Sequence, residues 1–331
     1  MKKTFYFCLV FLICMALIPT ITLMKTEIKK HHEAENTDIS IARIDDDSPV
    51  TYNDFRLLDT SQDKILTVSD FNFCCGALAA EMPVSFDKEA LKAQTVAIFT
   101  YYSKKRNESR LAGYDSDFEV NTEQNLIYIP DEKLRDMWGD NYTEYYSKIE
   151  ACVSDVFGQA VLYDDELILS CFCALNGGTT ESSKDIFGGE LPYLTAVASP
   201  GDCFAPEYQT ECSFTTDEFE EIATGAWQGI SLNGSPQQWV TDIERTASGT
   251  VSQIVIGNAK TTGDEVRKAF SLRSANFDIV YSQNEFVFTV RGYGHGVGMS
   301  QYGAQYMAIQ GADYREILYT YYPNTVIAKV E

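Results

Sequence analysis

A carboxylate set between apolar neighbours and an imidazole set among glycines are the two groups in this sequence best suited to chemistry. Glu81 sits in ALAAEMP, with alanines before it and Met82-Pro83 after it. Pro83 biases Met82 away from helical geometry, so a helix carrying Phe71 and Leu78 ends near Glu81. Unpaired carbonyls at a helix C-terminus make the local potential negative, and apolar surroundings add a desolvation cost. Both effects disfavour the carboxylate and raise its pKa, which suits a general acid working near neutral pH. The plainer alternative is an exposed helix-end glutamate.

His295 lies in RGYGHGVGMSQYGAQYMA, residues 291–308; the other two histidines, His31 and His32, sit in a polar N-terminal run. If this stretch is extended, Gly292, Gly294, Gly296 and Gly298 share one face, and Tyr293, His295 and Val297 the other. The glycine face would then be a lane open to a backbone or a ligand. A hydrogen-bonded structural histidine beside a glycine turn is the alternative. Ser300 and Gln301 follow at the expected start of a helix, where they either cap it or bind hydroxyl and amide groups of a ligand. A Ser–His–Asp hydrolase is disfavoured, because no GxSxG elbow is present and Ser300 lies only five residues from His295. Cys171 and Cys173 would point to one face of a strand, and His295 could join them around zinc. Neither a CxxC pair nor HExxH occurs, so zinc lacks supporting ligand spacing and no metal or cofactor is assigned.

These residues need elements to hold them. Ser69 is a plausible N-cap for the first helix. A second helix follows in FDKEALKAQTVAIFTYYSKKR, with Asp87 and Glu89 in its first turn and Lys104 to Arg106 in its last. Loop and a short strand are expected over 115–128 and a helix over 142–156. AVLYDDELILSCFCAL reads as two strands around an acidic turn, and NGGTTESSKDIFGGELPYL as a loop. Residues 238–257 alternate and pivot at Ser248-Gly249, which predicts a hairpin. A short helix near 264–270, a strand pair over 277–294 and a helix broken at Gly311 complete the pattern. Helices mixed with antiparallel hairpins, without strict βαβ order, indicate an α+β fold forming a substrate groove.

The 331 residues carry a formal charge of -22, which opposes phosphate backbones and argues against nucleic acid as a partner. Lys2 and Lys3 precede an apolar run over 5–24, long enough to span a bilayer with the N-terminus in the cytoplasm. A cleaved signal peptide is the rival, but no clear small-x-small site precedes Lys25. The expected organisation is a single-pass signal-anchor over 1–24, a flexible tether over 25–66 and an extracytoplasmic domain over 67–331. Seven of the nine cysteines follow the anchor, so at least one is a free thiol or bridges to another chain. Cys203 and Cys212 have the spacing to close a short loop.

AAEMPVSFDKEALKAQTVA, NGGTTESSKDIFGGELPYL and GYGHGVGMSQYGAQYMAIQG with its closing YYPNT resemble, in order and spacing, the stage II sporulation protein D family. The resemblance covers roughly residues 67–326. It implies a membrane-anchored lytic transglycosylase that cleaves peptide-stripped peptidoglycan strands during spore engulfment. Its partners would be an amidase and other membrane proteins of the engulfment machinery, and its place the mother-cell membrane facing the forespore. The family's catalytic glutamate falls on Glu81, and its groove-lining histidine, serine and glutamine fall on His295, Ser300 and Gln301. Tyr293 and Tyr302, as stacking surfaces for sugar rings, and Lys92 complete the candidate substrate-binding set. Two departures stand out: Phe99 replaces a usual arginine, and Cys173 a frequent histidine. Some relatives bind a metal through a histidine in that region, which this chain lacks. The alternative is a catalytically inactive wall-binding protein that enhances a partner amidase; a purely structural bridge between membranes is a third class.

Overall fold

A computed structural model describes residues 54–330, and the first of them already pair. β1 (Asp54–Asp59) and β2 (Lys64–Ser69) form an antiparallel hairpin, with Asp54 opposite Ser69. Residues 54–66, expected as tether, are part of this hairpin instead. Alternation in DFRLLD buries Phe55 and Leu57 completely, a two-residue period that the surrounding charges disguise. The expected anchor and the tether up to residue 53 lie outside the described residues. No helix among the described residues is long and apolar enough to cross a membrane.

α1 (Asp70–Glu81) starts where the Ser69 hydroxyl accepts the Asn72 N–H and stops at an extended Met82, as Pro83 requires. α2 (Lys88–Leu111), capped by Asp87, runs five residues beyond the expected Arg106. β3 (Phe118–Val120) adds to β1 in parallel, followed by α3 (Asp131–Trp138) and α4 (Tyr142–Val156). β4 (Gln159–Tyr163) and β5 (Glu166–Leu167) fold back at Asp164-Asp165, both at positive φ, and β6 (Phe172–Cys173) follows. The segment expected as loop contains a short helix, α5 (Ser183–Phe187).

β7 (Gln209–Thr215) and α6 (Thr216–Ala226) have no counterpart in the sequence reading. The reciprocal capping box of Thr215 and Glu218 was their local signal. β8 (Val240–Arg245) and β9 (Val251–Ile256) form the expected hairpin, extended by β10 (Ala259–Thr261) and followed by α7 (Gly263–Ala269). β11 (Phe277–Ser282) and β12 (Glu285–Arg291) pair, and β12 also pairs with β7. β13 (Met299–Ser300), α8 (Gln301–Ile309), α9 (Tyr314–Tyr321) and β14 (Val326–Lys329) close the described chain, with Gly311 at φ 93° separating the two helices. Helices and mainly antiparallel sheets are mixed, as an α+β fold requires.

Two cores result. One gathers Phe55, Leu78, Val96, Val297 and Tyr321 around α2, which touches α1, α4, α8, α9 and β4. Ala90, Ala93 and Ala97 are fully buried along it, and their small side chains permit that crowding. The other core, with Phe219, Trp239, Ile254, Phe277 and Phe288, belongs to β7–β12 and their helices.

Arg106 of α2 pins the start of α1 through both carboxylate oxygens of Asp70, at 2.8 and 3.0 Å, with both side chains buried. Burial pushes the Asp70 carboxyl up in pKa and the guanidinium opposes that rise. Arg106→Leu strands a buried carboxyl, so urea unfolding should show a loss of about 3–5 kcal/mol.

Candidate active site

The glycine run is not the alternating strand that its spacing suggests. Gly292, Gly294, Gly296 and Gly298 all have positive φ, between 76° and 120°, a region open to glycine at no steric cost. The run lies against residues 171–181. Leu175 and Tyr293 exchange backbone hydrogen bonds of 2.7 and 3.1 Å, and the Glu181 N–H donates to the Gly296 carbonyl at 2.7 Å. A Cβ on Gly298 would overlap the Cys171 carbonyl, and one on Gly294 would sit 2.8 Å from the Cys173 Cβ. The glycine lane expected to admit a ligand is therefore filled by protein.

What that close approach achieves is the parallel pairing of β13 with β6, Met299 opposite Phe172 and Ser300 opposite Cys173. Ser300 is thereby fully buried. Its hydroxyl accepts the Gly303 N–H at 3.1 Å, capping α8, and donates to Asp202 Oδ1. Of the two roles open to Ser300, the structure shows capping; it does not face a groove. Asp202 has no counterpart among the candidate residues read from the sequence. Burial pushes its carboxyl up to about 6, against hydrogen bonds led by that from Ser300.

Gln301, the first residue of α8, is brought against the last residue of α1. Its amide nitrogen donates to Glu81 Oε2 at 3.2 Å. Burial raises the Glu81 pKa, the Gln301 hydrogen bond offsets part of that rise, and no cation contributes. Desolvation, and after it the Glu81 charge, keep the buried Tyr102 hydroxyl protonated. The result is a half-buried carboxyl, biased toward its protonated form, with a neutral donor fixing one oxygen. Such a group can give up a proton and take one back.

His295 Nδ1 accepts the Val297 N–H at 3.0 Å, which places the ring proton on Nε2. Burial and then the Arg267 charge lower its pKa, with the Phe172 backbone opposing, so the imidazole is neutral. From His295 to Gln301 the chain spans at most roughly 20 Å. Tyr293 is half exposed beneath the Arg273 guanidinium, 4.8 Å from the ring centroid. Tyr302 packs edge-on to Phe86 at 5.2 Å. Lys92 is not brought to Glu81: its ammonium pairs with Glu89, lies 4.0 Å from Asp155 and sits over the Tyr314 ring.

Cys203 and Cys212 are both free thiols, so the short loop is not closed by a disulfide. Burial pushes Cys171 up to about 11 and Cys173 up to about 12, which keeps both protonated. Among the described residues no three of His, Cys, Asp and Glu are grouped to hold a metal ion.

Two stability measurements check this account. Ser300→Ala removes an N-cap and should cost about 0.5–2 kcal/mol in urea unfolding. The Glu81 pKa is raised in the folded state, so its stabilising contribution is full below the ordinary value of 4.5 and is lost as pH rises through the raised value. Glu81→Gln should therefore melt higher than wild type at pH 8. The two curves should converge at pH 3.

Comparison with known proteins now bears on this geometry. The family model described as stage II sporulation protein matches residues 59–163. Stage II sporulation protein D of Bacillus amyloliquefaciens is 32% identical over 291 residues, 86% of this chain and 80% of that protein. The protein of the same name from Bacillus subtilis is 30% identical over 285 residues, with the same coverage. An amidase enhancer of Bacillus subtilis is 24% identical over 310 residues, 76% of this chain but 40% of that protein. Identity at this level over most of both chains means that the chain belongs to the stage II sporulation protein D family.

Proposed function

We propose that the protein is a peptidoglycan lytic transglycosylase acting on peptide-stripped glycan strands during spore engulfment, with Glu81 as its one general acid and base. The observation that carries this reading is a half-buried Glu81 with a raised pKa, steadied by the Gln301 amide. Ordinary glycosidases need two carboxyl groups, one to protonate the leaving oxygen and one to serve the other face of the sugar. A transglycosylase needs no water, because the sugar's own 6-hydroxyl attacks the anomeric carbon at high effective concentration. The Glu81 carboxyl protonates the glycosidic oxygen as the C–O bond breaks. The resulting carboxylate, held by the Gln301 N–H, then takes the 6-hydroxyl proton as that oxygen closes the anhydro ring. Anchoring through residues 5–24 would keep the domain outside the cytoplasm, on the mother-cell membrane facing the forespore, beside a partner amidase.

A second reading is supported by the likeness to an amidase enhancer and by two residues. Phe99 packs into the first core beside Phe157, at 5.9 Å, and the Cys173 thiol is buried against Asn176. Neither offers a substrate the contact that an arginine or histidine there would make. On this reading the chain binds the wall and stimulates a partner amidase without cutting glycan.

Digestion of peptide-stripped strands by the full chain, read by mass spectrometry, separates the two. Anhydro-muramyl ends from wild type and none from folded Glu81→Gln establish the transglycosylase. Ordinary reducing ends would mean hydrolysis. No product from wild type, with stimulation of an amidase that survives Glu81→Gln, establishes the enhancer. Because Glu81 must start protonated, the rate should fall as pH rises through its raised pKa.

A further inference from the structure

The loop over 82–87 joins Glu81, the last residue of α1, to the start of α2. Its own backbone closes one turn, in which the Phe86 N–H donates to the Pro83 carbonyl at 3.0 Å. Pro83 donates nothing, and side chains from two other helices hold the loop. From α8 come two glutamines four residues apart, a spacing that puts them on one face. They reach its two ends: Gln301 donates to Glu81 Oε2 at 3.2 Å, and Gln305 Oε1 accepts the Asp87 N–H at 2.6 Å. Tyr302 packs edge-on to Phe86 at 5.2 Å. From α4 comes the Lys148 ammonium, which donates to the Val84 carbonyl and to the Phe86 carbonyl, at 2.6 Å each.

Lys148 is half-buried. An ammonium has three donors, and two of these go to carbonyls of one loop, as charge-assisted bonds stronger than neutral ones. No cation acts on Glu81 itself. Whatever Lys148 does for the carboxyl it therefore does by geometry, through the backbone of the loop. Geometry at such a group is costly to lose, because a misplacement of about 1 Å can slow a reaction about a hundredfold.

We propose that Lys148 is a positioning residue for the Glu81 acid: with Gln305 at the far end, it holds the 82–87 loop so that the carboxyl stays on the Gln301 amide. The expected effect on rate rests on the transglycosylase reading above; the effect on Glu81 itself does not.

The test uses the full chain with Lys148→Met, which keeps an apolar stem and removes the donors. Lys148→Arg restores donors, and Gln305→Ala frees the Asp87 end while the Ser300 cap of α8 stays in place. Two readings are taken on each: kcat and KM on peptide-stripped strands, and the titration of Glu81 by 13C NMR of labelled glutamate carboxyls, assigned as the resonance lost in Glu81→Gln. Lys148→Met should lower kcat about tenfold or more and change KM less than about twofold, because its donors serve the loop. A loosened loop admits water to Glu81, and burial is the main cause of its raised pKa. The Glu81 midpoint should therefore fall toward the ordinary carboxylate value in Lys148→Met and return in Lys148→Arg. Gln305→Ala should move both readings in the same direction, and it carries the test if Lys148→Met does not fold. A folded variant in which either reading stays at its wild-type value overturns the proposal. If wild type itself yields no anhydro-muramyl ends, the transglycosylase reading falls, and the titration alone decides the role of Lys148.

Discussion

Much of this structure depends on how closely one backbone passes another. Where Gly298 crosses Cys171 there is no room for a Cβ, and φ is positive on the glycine side. That approach lets β13 pair with β6 and fixes the start of α8 to within a residue. Ser300 then lands on Asp202 and Gln301 on Glu81. A shift of one residue in this pairing would turn both side chains to the opposite face. The glycines therefore contribute to the site indirectly, by setting the register that brings two distant helix ends together.

The protein buries carboxyl groups in three ways, with three consequences. Asp70 faces the Arg106 guanidinium, which serves architecture by tying α1 to α2. Asp202 is held by hydroxyl donors and sits high, at about 6, beneath the cap of α8. Glu81 has a neutral amide as its donor. A guanidinium there would stabilise the carboxylate and hold the pKa down; an amide orients the group while leaving it protonatable. Burial raises all three carboxyls, and the partner that opposes the rise differs: a guanidinium charge at Asp70, hydrogen bonds led by a hydroxyl at Asp202 and a neutral amide at Glu81.

The two cores divide the work. α2, with alanines along its buried face, lets α1, α4, α8 and α9 approach one axis, so the ends of α1 and α8 meet. The β7–β12 region supplies part of the wall of a cavity beside His295 through Thr246, Val251 and Ser274. Acid and cavity thus flank one short chain segment, His295 to Gln301.

The sequence alone determined the elements whose signals are local. Pro83 ends α1, Asp87 and Glu89 mark the start of α2, Gly311 separates α8 from α9, and alternation around Ser248-Gly249 makes a hairpin. Glu81 was legible too, because a helix end and apolar neighbours act within a few residues of it. Elements that draw their burial from distant partners were harder to see. β1 was hidden among charges, and β7 pairs with β12 across more than seventy residues of chain. The glycine run was misread because spacing records a missing side chain but not what fills the space. Only the tertiary structure decided that protein fills it, that Ser300 caps while Gln301 meets the acid, and that Lys92 is engaged elsewhere. Those outcomes turn on contacts between residues as much as 220 positions apart, and no local propensity encodes a contact at that range.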